Sequence, residues 1–117
     1  MQFNSGLGYP VDLGIDNNGN FKVGQITLPS TIYNGQKTVT TAGTRVVLAT
    51  SQALVSGVTI KALSTNTGII FIGNSTVSSS NGFRLSASAE IFIEIDNLAT
   101  IYIDSSVNGE GVSYIAT

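Results

Sequence analysis

The sequence predicts an all-β fold: an antiparallel β-sandwich, with connections compatible with a jelly roll, preceded by an N-terminal β-hairpin arm. Three observations predict it. β-Branched residues dominate, with 13 Ile, 13 Thr and 10 Val among 117 residues, and their stiff side chains suit a pleated sheet better than a helix. From about residue 36 onward, turn residues recur roughly every 8–12 positions, the spacing of a sandwich or barrel. No stretch carries helical periodicity, so less than about a tenth of the chain is expected in helix.

The elements follow from period-two alternation and turn chemistry. Residues 1–35 form the expected arm, rich in Gly and Asn and holding both prolines, Pro10 and Pro29. Within it Tyr9, Val11, Leu13 and Ile15 alternate with Pro10, Asp12 and Gly14. The turn Asp16-Asn17-Asn18-Gly19-Asn20 follows, and Phe21 and Val23 resume the pattern. A lone hairpin is marginal in water, so the arm must pack on something. Its own body and a neighbouring subunit are both open, the second through strand pairing.

Residues 36–117 form the expected body. Gln36–Thr41 and Thr44–Thr50 flank Ala42-Gly43 and read as a hairpin. Val58, Ile60 and Ala62 point one way, and Thr59, Lys61 and Leu63 the other. Asn66-Thr67-Gly68 turns into the apolar strand Ile69–Ile72, and Asn81-Gly82 is a second turn signal, because both residues tolerate positive φ. Glu90–Asp96 is the clearest strand, with Ile91, Ile93 and Ile95 facing the core and Phe92, Glu94 and Asp96 facing away. Asn97-Leu98-Ala99 turns into Thr100–Asp104, with Ile101 and Ile103 inward. Asn108-Gly109-Glu110-Gly111 leads to a final strand, Val112–Ala116. Seven or eight strands result.

Composition narrows the function. Charged residues are 10% of the chain and the net charge is −2, against roughly a quarter charged in an average soluble domain. There is no His, Cys or Trp. The usual zinc, copper, iron–sulfur and haem ligand sets cannot be built without His or Cys, nor can Ser–His–Asp or Cys–His catalysis. No disulfide can form. The five basic residues, Lys22, Lys37, Arg45, Lys61 and Arg84, are scattered singly, which argues against nucleic acid as a partner, since that affinity needs clustered positive charge. The N-terminus Met1-Gln2-Phe3-Asn4-Ser5-Gly6 has no basic start, and apolar runs such as Ile69-Ile70-Phe71-Ile72 fall far short of the ~20 residues that span a bilayer. The expectation is a soluble product of the cytoplasm, without signal peptide or membrane partner, unless it leaves inside a larger assembly.

Candidate sites each meet a plainer explanation. Asp16–Asn20 resembles a calcium loop, but EF-hand spacing started at Asp16 puts Phe21 where Gly is required and Thr27 where a bidentate Glu should close the site. A solvated turn is the better account. Glu94 and Asp96 could form a carboxylate pair for glycoside hydrolysis, yet they lie opposite the isoleucines, on what reads as a solvated strand face. Asn74-Ser75-Thr76 matches a glycosylation sequon, which without export has no consequence. Tyr9, Tyr33, Tyr102 and Tyr114 could stack on sugars, fill interface pockets or pack at an edge. No catalytic residue, cofactor or metal is expected. The candidate partner-binding residues are Tyr9, Val11, Leu13, Ile15, Phe21 and Val23.

The run Tyr33-Asn34-Gly35-Gln36-Lys37-Thr38-Val39, the stretches Val58–Gly68 and Ile72–Val77, then Asn81-Gly82-Phe83, Ile93–Leu98 and Ile101–Asp104 resemble a small β-domain recurring in tailed-bacteriophage virion proteins. The likeness covers about two-thirds of the chain, and Pro10–Val23 is similar to the variable lead-in such proteins carry. It contains no catalytic motif. The resemblance implies a non-enzymatic structural protein located in the virion, a capsid cement or decoration protein stabilising the shell. Its implied partners are the major capsid protein and copies of itself, in a homotrimer, because three-fold and quasi-three-fold positions are common docking points on icosahedral shells. The alternative it leaves open is a head- or tail-appendage module that binds a host-surface glycan.

Overall fold

Residues 28–117 are described by a computed structural model. They form eight strands: β1 (Tyr33–Val39), β2 (Val46–Val47), β3 (Val58–Ala62), β4 (Ile70–Gly73), β5 (Phe83–Leu85), β6 (Glu90–Ile93), β7 (Tyr102–Ser105) and β8 (Glu110–Ala116). The helical content of this part is one 3₁₀ turn, Leu98–Thr100, capped by the Asn97 side chain, which accepts from the Ala99 N–H. The all-β expectation holds.

Two four-stranded antiparallel sheets pack face to face. Sheet one has the order β1-β8-β3-β6 and sheet two the order β2-β7-β4-β5. In each of the six pairings, one strand comes from the first four and the other from the last four: β1 with β8, β2 with β7, β3 with β6 and β8, β4 with β5 and β7. The chain is thus folded back on itself at the β4–β5 connection. The core lies between the sheets. Val39, Val58, Ile60, Ala62 and Val112 come from sheet one, Ile70, Ile72, Leu85 and Ile103 from sheet two, and all are buried. Loop residues Leu48, Leu54, Leu98 and Ile101 close its ends.

The alternation of β3 is observed as expected, Val58, Ile60 and Ala62 being buried and Lys61 exposed. The expected hairpin around Ala42-Gly43 is corrected. The turn exists, with the Thr44 N–H donating to the Thr41 carbonyl at 3.0 Å and Gly43 at a φ of +87°. Its two flanks, however, enter different sheets, β1 pairing with β8 and β2 with β7. The turn is an arch between layers: Val39 at its entry is wholly buried among the core residues, and Leu48 beyond its exit enters the same core while its N–H bonds the Ile101 carbonyl at 2.8 Å. The strand expected at Glu90–Asp96 ends at Ile93. There the backbone leaves β3 for the loop before it, the Leu54 N–H bonding the Asp96 carbonyl at 2.8 Å and Ala53 bridging Asn97. The last strand starts two residues early, at Glu110.

Candidate functional site

The six candidate partner-binding residues, Tyr9, Val11, Leu13, Ile15, Phe21 and Val23, lie outside the described residues, as does the Asp16–Asn20 turn. The body nevertheless carries surfaces of its own.

Most of its acidic and amide side chains are committed to holding loops. Asp104, 2% exposed, accepts from the Gly43 N–H at 3.0 Å and from the Ser105 N–H at 2.7 Å, and so ties the β1–β2 arch to β7. The Glu110 carboxylate accepts from the Thr67 N–H at 2.6 Å, the Thr67 hydroxyl at 2.8 Å and the Gly68 N–H at 2.8 Å. These bonds, the Thr67 N–H foremost, favour the ionised form and hold its pKa below the ordinary carboxylate value, overcoming the opposing effect of desolvation. Asn66 is buried and pairs both ways with Gly111, donating to its carbonyl at 2.9 Å and accepting from its N–H at 3.4 Å. In the sequon, Asn74 Oδ1 accepts from the Thr76 N–H and hydroxyl at 2.9 and 2.7 Å, an Asx turn. Glu94 and Asp96 are exposed, as expected of a solvent side. Among the described residues no three His, Cys, Asp or Glu side chains gather where a metal ion could be held, and no helix there is long and apolar enough to cross a membrane.

The apolar surface lies elsewhere. β6 is the last strand of sheet one, and beyond β3 it has no strand partner among the described residues. Ile91 and Ile93 face the interior but sit at the rim of the sandwich, so they are half-buried rather than enclosed. With Ile95, Ile72, Ile101 and Phe83 they line a groove of about 320 Å³, almost wholly apolar, between the β6 edge and sheet two. Phe83 on β5 is 55% exposed, a large value for a ring beside a core. On the outer face of sheet one, Phe92 and Ile115 flank Thr59 across adjacent strands and are 55% and 52% exposed.

A third feature concerns the tyrosines. β1–β8 pairing sets Tyr114 over Gly35, and Tyr33 and Tyr114 line a shallow depression with Asn34, Thr50 and Gln52. Tyr102 is half-buried in β7 opposite Val47. Sequence reasoning saw the β6 isoleucines as core; that they line an open rim depends on β6 being an edge, which no local pattern states. Compared with known protein families, curated proteins and solved structures, the chain finds no match.

Proposed function

We propose that this chain is a non-enzymatic structural protein of a tailed-phage virion, of the capsid cement or decoration kind, which binds the major capsid protein and copies of itself as a homotrimer. The observation that carries the reading is the distribution of side chains over the body. Asp104, Glu110 and most of the amides hold loops, while an almost wholly apolar groove stays open at the β6 rim and Phe92 and Ile115 stand exposed on the outer face of sheet one among polar neighbours. Exposed apolar surface of that kind marks a site of interaction. Neutral Ser, Thr and Asn around it cost less to desolvate than ions, which suits a protein that must be soluble first and buried against neighbours later. The nested pairing, β1 with β8 through β4 with β5, supports reading the connections as those of a jelly roll, an architecture frequent in capsids. Architecture alone assigns no function, so the surface carries the weight.

A second reading is favoured by the Tyr33–Tyr114 depression: a head- or tail-appendage module in which these half-buried rings stack on a surface glycan. Copy number separates the two. Quantified protein bands from purified particles should show this chain approaching the major capsid protein in abundance. A scarce chain overturns the cement reading in favour of the appendage. Removing residues 1–28 should lower occupancy on particles while leaving the melting temperature of the body nearly unchanged. Loss of folding would instead assign those residues to the core.

A further inference from the structure

We infer that the depression between Tyr33 and Tyr114 is a binding subsite for one neutral pyranose ring. The subsite deepens the second reading above, resting on its glycan and not on a place in the particle.

The β1–β8 ladder builds one wall. Gly35 lies opposite Tyr114 and Tyr33 opposite Ala116. Both phenols pack half-buried against the core at the β1 edge of sheet one, the far edge from β6. A Cβ at position 35 would stand 2.8 Å from the Tyr114 hydroxyl and 3.0 Å from Cζ, so glycine is what lets the ring rest against the β1 backbone. Leu98, buried in the core, backs the depression. The facing wall, Thr50 to Gln52, is fixed before any ligand arrives. The Gln52 N–H donates to Asn97 Oδ1 at 3.2 Å, and the Gln52 carbonyl accepts from the Leu98 N–H at 3.1 Å. Asn97 Nδ2 also donates to Ser51 Oγ at 3.1 Å. Walls set in advance need no ordering on binding, which favours affinity.

The lining chemistry selects the ligand. The volume is about 320 Å³, at the small end of ligand pockets, and suits a single ring. A pyranose has apolar C–H faces and a rim of hydroxyls. Tyrosine matches this with an apolar body and a polar tip. The Thr50 hydroxyl and the Asn34 and Gln52 amides can each donate and accept, as a sugar hydroxyl does. Gln52 Nε2 donates to the Ala53 carbonyl at 3.1 Å, which uses one of the two N–H groups of that amide. β1 has no strand partner beyond it among the described residues, so its edge adds backbone N–H and C=O groups. No Lys, Arg, Asp or Glu lines the depression. A phosphate or carboxylate would be desolvated there without a counter-charge, which sets aside nucleotides and acidic sugars. A purely apolar ligand would leave the hydroxyl and amides without partners.

The test is an NMR titration of isotope-labelled full-length protein. The neutral probes are methyl α-glucoside, methyl α-mannoside, methyl β-galactoside and N-acetylglucosamine, with glucuronate as the acidic probe. At least one neutral probe should shift the Gly35, Gln52 and Tyr114 amides, with a dissociation constant on the order of millimolar. Glucuronate should bind about fivefold more weakly or worse. Gly35→Ala displaces the hydroxyl end of Tyr114 while keeping the ring. It should weaken the sugar about fivefold to tenfold, with the melting temperature nearly unchanged. Thr50→Ala, at an exposed position, should weaken it about threefold or more, and decides the matter if Gly35→Ala disturbs the fold. Silence with every neutral probe overturns the inference, as does glucuronate binding equally well. Shifts that lie elsewhere and ignore both variants refute the location. Particle copy number tests the appendage reading alone. An abundant chain that binds sugar overturns the appendage and leaves the subsite standing, whereas a scarce chain with a silent depression does the reverse.

Discussion

The outer faces of the two sheets are built to opposite ends. On sheet two, Asp104, Phe71 and Arg84 sit side by side across three strands, an arrangement that local alternation would assign to solvent. Phe71 and Asp104 are nevertheless 2% exposed. The β4–β5 loop folds back over them. Val77 packs against Gly73 and Gly82, and a side chain at Gly82 would run into Phe71. The Arg84 guanidinium lies 5.2 Å from the centre of the Phe71 ring, and the β1–β2 arch hangs from Asp104. On sheet one the equivalent row, Phe92, Thr59, Ile115 and Asn34, has no such cover, and its apolar members stand half in water. One face is finished by its own loops, whereas the other is left available. Burial on an outer face is therefore a property of the loops rather than of the strand.

That contrast can be broken by substitution. The largest effect should come from Phe71→Ala, which opens a cavity under the covering loop and should cost about 3–5 kcal/mol in urea unfolding. A cost under ~1 kcal/mol would mean the loop is not a true cover. Asp104→Ala should cost about 1–3 kcal/mol, because the buried Ser105 N–H and the part-buried Gly43 N–H lose their acceptor.

Glu110 gives a pH signature instead. Its folded pKa lies below the unfolded value of ~4.3, so its contribution is complete above that value and is lost as pH falls toward the folded pKa. The urea midpoints of wild type and Glu110→Gln should differ most above the ordinary glutamate pKa and converge as the pH falls below it. A gap constant with pH would sink the assignment. At the small end, Phe92→Ala and Ile115→Ala should change stability by no more than ~0.5 kcal/mol, as should the control substitutions Glu94→Ala and Asp96→Ala.

Much of the architecture could be read from residues. Alternation in Val58–Ala62 and the placement of Ile101 and Ile103 rest on burial that repeats every second residue, and both are visible locally. The Asn97-Leu98-Ala99 turn was equally legible, because an Asn cap leaves a short-range trace. Partnership was not legible. Nothing near Ala42-Gly43 says that its two flanks will enter separate sheets, because β1 finds its mate at the far end of the body. Likewise Asn66 looked like a turn residue. Its buried pairing with Gly111 joins positions whose proximity exists only after folding. The open β6 rim was hidden for the same reason: edge status depends on strand order, and strand order is global.

The pairing map has a last consequence, for the making and cutting of the chain. Since every ladder among the described residues joins the first four strands to the last four, neither half of the body, 28–79 or 80–117, owns a single complete strand pair. During synthesis neither sheet of the body can form until its second half emerges, and the loops that must close are long, which slows folding. Conversely, the exposed Ser79-Ser80 tip of the β4–β5 loop is a natural place to divide the molecule. Peptides 28–79 and 80–117 should each be unstructured by circular dichroism, and together should restore the sandwich as a split pair.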